Sequence, residues 1–555
     1  MNLYIDFETN MAHDTIWCCG VSEDGQNRRI VTEAAELAPL VQKADKVIAH
    51  NLVGFDAVIA KRLWGIIIPP AKMVDTLLLS RLLNPSMDNG HSLDAWGERM
   101  GFKKGTFRDY DAGLSAEMID YCIRDIELLE KLHKTLVREL ADEGFSEQCV
   151  NIEHSTAIII REQEDNGVGF DLVKALMLRE RVQARMAEIE QKFQILFPPR
   201  TVELYSVNTH KPLKVYQEVF NVGSRQQVVE RLFELGVGNQ LTDRTETGRY
   251  KLSETVLDTI DIPEAKLVVE YLTLQKRDGL LNQWIIACKP SGRIHGRVNT
   301  IGAVTGRMTH ASPNMAQVPA GGSYMGKECR ELFVPAYGKV LVGADASALE
   351  LCMLAHYMRD DGFTDSVVSG DKDKGTDVHT RNKVAAGLDT RDQAKTFIYA
   401  LLYGAGPGKI GQIVNGGFKE GAAMIDRFMA NMPKLRKLID KVQRMSMAGK
   451  LPGLDGRMIR VRSQHSALNT LLQGAGAIVM KKALIVLYKR LRKEGIEALF
   501  VLNVHDEWQI ECAPEVAETV GKYAVEAIRD AGVALGCRCP LSGEYKIGKS
   551  WAETH

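Results

Sequence analysis

The sequence begins with an apolar, strand-like segment, MNLYIDFETN, that carries two carboxylates. Side chains alternate between the two faces of a strand, so Asp6 and Glu8 project from the same face. Two like charges about 4 Å apart repel each other by roughly 4 kcal/mol at an effective dielectric constant of about 20. A sheet that contains this strand must therefore expose both carboxylates to solvent or place a positive charge between them.

Further acidic positions follow in the same part of the chain. Strand-like and helical segments alternate over residues 1–135, which indicates an α/β domain. Asp56 follows the apolar strand of KVIAHNLVGFDAVI. Tyr121 and Asp125, in MIDYCIRDIELL, are four residues apart and share one face of a predicted helix. An oxygen-rich pocket that suits two Mg²⁺ or Mn²⁺ ions is predicted from Asp6, Glu8, Asp56, Tyr121 and Asp125.

A second group of carboxylates lies far downstream. Asp345 ends the apolar strand of VLVGADASALEL, and Glu350 follows after a turn. Asp506 and Glu507, preceded by His505, lie between two predicted strands in VLNVHDEWQI. Neighbouring residues of a strand face opposite ways, so these two acids share a site only if the chain turns there. The alternative interpretation is that His505, Asp506 and Glu507 form an exposed hairpin tip. Aspartates that end two apolar strands nevertheless need a compensating charge, which a metal ion supplies.

Between these acids, TRDQAKTFIYALLYGAG predicts a helix with one functional face, which Gly404 ends. A stripe along this face has residues spaced by four: Arg391, Lys395, Tyr399 and Tyr403. The stripe spans about 18 Å at 1.5 Å per residue, which is long enough for a nucleoside triphosphate. Arginine and lysine suit the phosphates, and the tyrosines suit the sugar and the base. An amphipathic helix with a mixed polar face is the alternative.

The ordered motifs resemble those of known families. The series D-x-E, N-x4-D and Y-x3-D resembles the proofreading 3′→5′ exonucleases of the ribonuclease-H-fold superfamily. Four later segments resemble the motifs of the family A DNA polymerases, the bacterial DNA polymerase I group: GRIHGRVNTIGAVTGRMTHASPNMAQVP, TRDQAKTFIYALLYGAG, GLDGRMIRVRSQHSALNTLLQGAGA and VHDEWQI. Within that family, the resemblance is nearest to the replicative polymerases of short-tailed lytic bacteriophages.

This resemblance implies an α/β multidomain fold. A ribonuclease-H-like 3′-5′ exonuclease domain would precede a right-hand polymerase with palm, fingers and thumb. The length of 555 residues agrees with several domains, because a single hydrophobic core stops growing well below it. The expected domains are the exonuclease at 1–152, the thumb at 153–287, the palm at 288–350 and 468–555, and the fingers at 351–467.

The resemblance also implies two Mg²⁺ or Mn²⁺ ions in each active site. In the exonuclease the catalytic residue Tyr121 would accompany the metal ligands Asp6, Glu8, Asp56 and Asp125. In the polymerase the metal ligands would be Asp345, Asp506 and the carbonyl group of Ala346. The polymerase catalytic set further includes Glu507 and Lys395, and Lys395 is a candidate proton donor to pyrophosphate.

Contacts with nucleotide and DNA follow from the same resemblance. The incoming nucleotide would contact Arg391, Lys395, Tyr399, Tyr403, His379 and Glu350. Glu350 would crowd the 2′ position of the sugar and exclude ribonucleotides, whereas Tyr399 implies weak discrimination against dideoxynucleotides. Arg307, Gln473 and His505 are the expected DNA contacts, and the first two would read minor-groove acceptors common to all correct base pairs. The contacts of Glu507 and His505 with metal, with the primer end or with neither stay open.

The implied function is replication of phage DNA by a template-directed DNA polymerase with a proofreading exonuclease. The enzyme would add dNTPs to a primer 3′-OH by two-metal-ion catalysis. A single-subunit RNA polymerase is one alternative, but Glu350 and the nuclease motifs argue against it. The other alternative is a nuclease whose C-terminal half binds DNA without synthesising it.

The expected partners are primer-template DNA and dNTPs, with a phage helicase-primase and a single-stranded DNA-binding protein. Residues 197–218 form only a short segment where phage relatives carry a long insertion, which argues against a host thioredoxin partner. We expect a monomer and no membrane contact, since no apolar run looks long enough to cross a bilayer. The scattered cysteines and the resemblance indicate the cytoplasm of an infected bacterial host.

Overall fold

A five-stranded mixed sheet covered by helices forms the N-terminal part of the computed structural model, which describes residues 1–205, 212–241, 244–245 and 247–555. The elements of this part are β1 (Asn2–Thr9), β2 (Ile16–Glu23), β3 (Gln26–Val31), α1 (Ala34–Lys43), β4 (Lys46–Ala49), α2 (Asp56–Trp64), β5 (Met73–Asp75), α3 (Thr76–Leu83), α4 (Leu93–Arg99) and α5 (Ala116–Asp142). The strand order is β3-β2-β1-β4-β5, with β1 antiparallel to β2 and parallel to β4.

Strand β1 is central in this sheet, and its two faces have different neighbours. Leu3, Ile5 and Phe7 are buried in a core with side chains of α1 and α2. The other face, which carries Tyr4, is covered by α5. This alternation of side chains is the one that the sequence predicts, and it places Asp6 and Glu8 between the sheet and α5.

The middle part of the chain is mainly helical. Its elements are α6 (Glu147–Asn166), β6 (Val168–Phe170), α7 (Leu172–Leu196), β7 (Arg200–Tyr205), β8 (Pro212–Glu218), α8 (Arg225–Glu234), α9 (Glu254–Asp258) and α10 (Pro263–Ala287). The long helices α7 and α10 pack against each other around a core that contains Phe193 and Trp284. All residues outside the described ranges fall within the predicted thumb, 153–287.

The C-terminal part contains a four-stranded antiparallel sheet and a group of helices. Its elements are β9 (Arg293–Ile294), β10 (Arg297–Asn299), β11 (Thr309–Ala311), α11 (Gly326–Arg330), β12 (Phe333–Val334), β13 (Val340–Ala346), α12 (Leu349–Met358), α13 (Asp361–Val368), α14 (Val378–Ala386), α15 (Arg391–Leu402), α16 (Pro407–Gly411), α17 (Phe418–Asn431), α18 (Pro433–Ser446), β14 (Lys450–Pro452), β15 (Met458–Arg460), α19 (Ala467–Lys493), β16 (Ala498–Val504), β17 (Glu507–Cys512), α20 (Pro514–Ala534) and β18 (Gly543–Gly548). The sheet order is β16-β17-β13-β18, and α20 packs against β13 and β18.

Two predicted domain boundaries fall inside helices, and the division into domains stays a prediction. The boundary at residue 152 falls inside α6, and the boundary at residue 350 falls inside α12. Helix α6 packs against α3 on one side and against α19 and β16 on the other. The helix therefore belongs to the contact between the N-terminal and C-terminal parts.

Helix α19 corrects the expectation that no segment is long and apolar enough for a membrane span. By length and composition this helix qualifies, but 78% of its most apolar 18-residue window is buried inside the protein. Leu472, Val479 and Leu484 are among its buried side chains. Burial on most sides accounts for its apolar composition, since a helix in a large core has little exposed face.

A buried group of four charged side chains joins α6 to the C-terminal part. Glu153 of α6 accepts from Lys481 of α19 at 2.7 Å and lies 2.6 Å from the guanidinium of Arg457. Arg457 also pairs with Asp455 at 2.6 Å. Because buried charges are tolerated only when they are paired, this group determines how α6 sits against α19.

We expect Glu153→Gln to lower the free energy of unfolding by about 3–5 kcal/mol, because Arg457 and Lys481 would keep an uncompensated buried charge. The thermal unfolding midpoint at pH 7, measured by circular dichroism, checks this. Lys266→Met, which removes the exposed ion pair with Asp261, is the matched control and should change stability by less than about 1 kcal/mol. Equal midpoints for the two variants would contradict the assignment.

Candidate active sites

The first group of predicted residues converges between β1 and α5, and we call it the N-terminal acidic site. Its members are Asp6 and Glu8 on β1, Asp56 at the start of α2, and Tyr121 and Asp125 on α5. Gly20 of β2 lies opposite Asp6 in the sheet. A Cβ atom at Gly20 would stand 2.8 Å from both Cys122 Sγ and Ile126 Cγ1, so the glycine lets α5 approach the carboxylates.

Burial dominates the electrostatics of the N-terminal acidic site. It raises the pKa of Asp6 and of Asp56 well above the usual range, and the nearby carboxylates add to the effect. For Glu8, burial and then the charge of Asp125 raise the pKa to about 8. Asp125 is only 1% exposed, and its Oδ1 atom has no hydrogen-bond partner among the described residues. A buried carboxylate oxygen without a donor fits a divalent cation, which prefers oxygen ligands.

Two side chains of the N-terminal acidic site were not predicted from the sequence. Lys104 Nζ lies 2.7 Å from Asp125 Oδ2 and 4.9 Å from the centroid of the Tyr121 ring. Cys122 Sγ lies within 4.8 Å of carboxylate oxygens of Asp6 and Glu8. Cys122 could have been found from its place inside the tyrosine motif. Lys104 belongs to an irregular connection that carries no motif.

The second group, which we call the C-terminal acidic site, lies where β13 meets the β16–β17 hairpin. Asp345 lies near the end of β13, opposite Glu507 of β17. The chain turns at His505, which is exposed with φ +58°, and at Asp506. The backbone N–H of Ala346 donates to the carbonyl of Asp506 at 3.2 Å. His505 and Asp506 therefore form the tip of the β16–β17 hairpin. The same turn brings Asp506 beside Asp345.

The two aspartates of the C-terminal acidic site also resist ionisation. Burial, followed by the charges of Asp506 and Glu507, raises the pKa of Asp345 to about 7. Burial raises the pKa of Asp506 as well, although the charge of Arg307 opposes this. Two aspartates that repel each other in a poorly hydrated site fit the ligand set of a divalent cation.

Glu507 differs from the two aspartates because protein groups contact both of its carboxylate oxygens. Oε1 accepts hydrogen bonds from Gln509 Nε2 at 2.6 Å and from Trp551 Nε1 at 2.5 Å. Oε2 lies 2.7 Å from His555 Nδ1 and 4.0 Å from the guanidinium of Arg330. Two hydrogen bonds to Oε1 therefore orient the Glu507 carboxylate. The contacts with Trp551 and His555 had no signal in the sequence.

Helix α15 carries the predicted phosphate-binding residues. A capping box of Thr390 and Gln393 begins it, so Arg391 stands at its first turn. Asp377 Oδ1 accepts a hydrogen bond from Arg391 Nε at 3.0 Å and lies 2.9 Å from Nη2, which orients the guanidinium. The backbone N–H of His379, on α14, donates to the same Asp377. Lys395 is exposed and forms no ion pair within the described part of the chain.

The two tyrosines of the stripe lie at the C-terminal end of α15. The ring centroids of Tyr399 and Tyr403 are 6.4 Å apart, at an interplanar angle of 28°. Tyr403 OH donates to Glu350 Oε2 at 2.7 Å, and Arg307 Nη2 donates to Glu350 Oε1 at 2.9 Å. Gly404, with φ +76°, follows the end of the helix. Glu350 is thus held between the stripe and Arg307.

The predicted DNA contacts lie beside the C-terminal acidic site. One cavity is lined by Arg307, Glu350, His505 and Asp506 together with residues of α19. Gln473 is half-buried on α19, about one turn before Gly476, which lines the same cavity. The structure therefore brings these residues to one side of the hairpin.

Comparisons with known proteins agree with the motifs. A family model described as DNA polymerase family A matches residues 203–553. The DNA-directed DNA polymerases of Enterobacteria phage T3 and Escherichia phage T7 are each 32% identical over 631 residues, which covers 88% of this chain and 88% of each relative. The solved POL domain of Pol1 from M. smegmatis, in complex with DNA primer-template and dNTP, has a TM-score of 0.82 at 18% identity. It covers 99% of this chain and 95% of that chain, so the predicted α/β fold of a family A polymerase is confirmed.

Without divalent cations, we expect the protein to lose stability as the pH rises from 5 to 8.5. The folded-state pKa of Glu8 is about 8, above its ordinary value of 4.5. The stabilisation is therefore full below about pH 4.5 and is lost as the pH rises through about 8, because unfolding releases a proton that folding retains. Unfolding midpoints in EDTA at pH 5 and pH 8.5 measure the loss.

Glu8→Gln should reduce this pH dependence, whereas Glu117→Gln, an exposed change on α5, should leave it intact. Mn²⁺ at pH 8.5 should raise the midpoint of the wild type more than that of Glu8→Gln. Identical pH profiles for all three proteins would contradict the prediction.

Proposed function

The chain belongs to DNA polymerase family A, and we propose that it replicates phage DNA and proofreads its product with the N-terminal acidic site. Template-directed DNA synthesis by a DNA-directed DNA polymerase is the activity of this family. One observation supports a second activity most directly: the chain contains two separate clusters of buried carboxylates with raised pKa values. Clusters of this kind are costly to a fold unless they bind cations for chemistry.

In the proposed exonuclease, the metal ligands are the carboxylates of Asp6, Glu8, Asp56 and Asp125. Divalent ions bound there would neutralise the charge that develops on the phosphate during cleavage. The unpartnered Oδ1 of Asp125 supports this assignment, because the atom has no protein donor among the described residues. Tyr110 OH donates to Tyr121 OH at 3.3 Å, which leaves the O–H of Tyr121 available to donate. Tyr121 is the proposed catalytic tyrosine, and Tyr110 orients it.

In the proposed polymerase site, Asp345, Asp506 and the Ala346 carbonyl would hold Mg²⁺ or Mn²⁺. Asp377 occupies the Nε and Nη2 atoms of Arg391, so Nη1 stays available for the triphosphate. Lys395 has an ammonium group free of ion pairs in the described chain, which suits it to bind phosphate and to hold the proton that pyrophosphate takes up. We assign Glu507 to support of the hairpin, because protein groups contact both of its oxygens.

Glu350 is the proposed sugar discriminator. Hydrogen bonds from Tyr403 and Arg307 hold its carboxylate in place beside the C-terminal acidic site. A fixed carboxylate near the sugar would exclude a 2′-hydroxyl both sterically and by leaving it without a partner. The same contact ties Arg307, a proposed reader of the DNA minor groove, to the nucleotide site.

The proposed domains are an exonuclease in the N-terminal part, a thumb, a palm in two segments and fingers between them. Primer-template DNA and dNTPs are the proposed substrates, with Mg²⁺ as the cofactor. We further propose that the enzyme is a monomer. It works with a phage helicase-primase and a single-stranded DNA-binding protein in the cytoplasm of the infected host.

We expect the double substitution of Asp6 and Glu8 by Ala to abolish digestion of a primer 3′ end and to leave extension within about twofold of wild type. The two sites use different carboxylates, so one can lose its charge without the other. Asp506→Ala should do the reverse. A gel assay of one labelled primer, with and without dNTPs, measures both activities, and loss of both in either variant would contradict separate sites.

Glu350→Ala should raise the use of ribonucleotides relative to dNTPs by about tenfold or more, because the barrier to the 2′-hydroxyl is removed. Single-nucleotide incorporation with each substrate at several concentrations gives the ratio of kcat/KM values. Glu117→Ala, distant from the site, is the control for preparation and folding. An unchanged ratio in Glu350→Ala would remove Glu350 from sugar selection.

A further inference from the structure

The connection between α4 and α5 places a lysine in the N-terminal acidic site. Lys104 Nζ lies 2.7 Å from Asp125 Oδ2, and the side chain is 23% exposed. The positive charge of Lys104 also lowers the pKa values of Asp6 and Glu8, so it acts on the whole cluster. Of the cations that the structure describes, Lys104 alone forms an ion pair with a carboxylate of this site.

The backbone on both sides of Lys104 is fixed by packing. The N–H of Phe102 donates to the carbonyl of Gly97 on α4 at 2.8 Å. A Cβ atom at Gly97 would stand 2.7 Å from the Phe102 carbonyl oxygen and 3.3 Å from Lys104 N, so only glycine lets the connection lie this close. Arg124 Nε donates to the Lys103 carbonyl at 3.2 Å. These contacts position the backbone around Lys104, so its side chain enters the site from a defined place.

The C-terminal side of Lys104 is also closely packed. Gly105 lies against the Tyr121 ring, where a Cβ atom would stand 3.2 Å from Cδ2. The Lys104 ammonium therefore stands beside both Asp125 and the proposed catalytic Tyr121. A partly exposed cation in this place can reach an anion that enters the site from solvent.

The net charge of the N-terminal acidic site favours a role for Lys104 when substrate is bound. The four carboxylates and Lys104 together carry a net charge of −3 when ionised. Two divalent ions would bring the site to +1, which matches the single negative charge of one phosphodiester. Without Lys104 the loaded site would carry no net positive charge and would attract the phosphate less strongly.

We propose that Lys104 is a further catalytic residue of the N-terminal acidic site, which binds the phosphodiester at the 3′ end of single-stranded DNA. This inference rests on the proposed exonuclease function. Without substrate the ammonium pairs with Asp125; with substrate it contacts a non-bridging phosphate oxygen and keeps the scissile group beside the carboxylates. Charge-assisted hydrogen bonds to phosphate are strong enough to supply this positioning.

The test compares Lys104→Met with Lys103→Met, a neighbouring exposed lysine with no ion pair in the described chain. Digestion of a single-stranded oligonucleotide is measured at saturating Mg²⁺, and primer extension is measured on the same preparations. Lys104→Met should slow digestion about 10- to 100-fold and leave extension unchanged, because a hydrogen bond to a charged group is lost. Lys103→Met should match the wild type, and Lys104→Arg should retain more activity than Lys104→Met.

A binding measurement supplies a second readout that does not depend on cleavage. The fluorescence of a single strand with 2-aminopurine at its 3′ end is titrated at several salt concentrations, with Ca²⁺ in place of Mg²⁺. Loss of one phosphate contact should reduce the slope of log affinity against log salt by about 0.7 in Lys104→Met. Lys103→Met should keep the wild-type slope.

Two outcomes would overturn the proposal. Wild-type digestion by Lys104→Met at saturating Mg²⁺ would mean that the lysine only balances charge in the metal-free protein. Slower digestion with an unchanged salt slope would mean that the lysine supports the fold of the site without contacting phosphate. Failure of the proposed function is distinct: the wild type itself would then not digest DNA, or the double Ala substitution of Asp6 and Glu8 would digest it normally.

Discussion

Repulsion between carboxylates in poorly hydrated sites is the constraint on which both halves of this protein depend. In each half a central strand of a sheet carries an aspartate, at Asp6 and at Asp345, and a second element brings further acids against it. Burial raises the pKa of the aspartates in both clusters and of Glu8, so each cluster is stable only when protons, a lysine or metal ions offset the charge. The surrounding structure supplies rigid strands and helices that hold the acids together despite this repulsion.

The two sites belong to one continuous framework because helix α6 packs against elements of both parts. Its buried Glu153 pairs with Arg457 and Lys481, which come from separate later segments of the chain. A buried pair of this kind gives directional contacts that apolar packing lacks, and breaking it leaves an isolated charge.

Much of the fold and most of each site could be predicted from local patterns. Alternation in β1 places Asp6 and Glu8 on one face, and the spacing of four residues places Tyr121 beside Asp125 and Arg391 beside Lys395. The contacts of Lys104, Trp551 and His555 could not be predicted, because each joins the site from an irregular or distant segment. The boundaries at 152 and 350 were placed inside helices, because motif positions do not indicate where an element begins.

The sequence by itself determined the family, the fold class and which acidic residues come together, because strand and helix periodicities are local and the motifs have fixed spacings. The tertiary structure decided what surrounds those acids: the donors that orient Glu507, the lysine beside Asp125 and the contacts that hold Glu350. The physical reason is that the charge state of a carboxylate, and the lone pairs it has left for a metal ion, depend on burial and on partners remote in the chain. No local pattern records those partners.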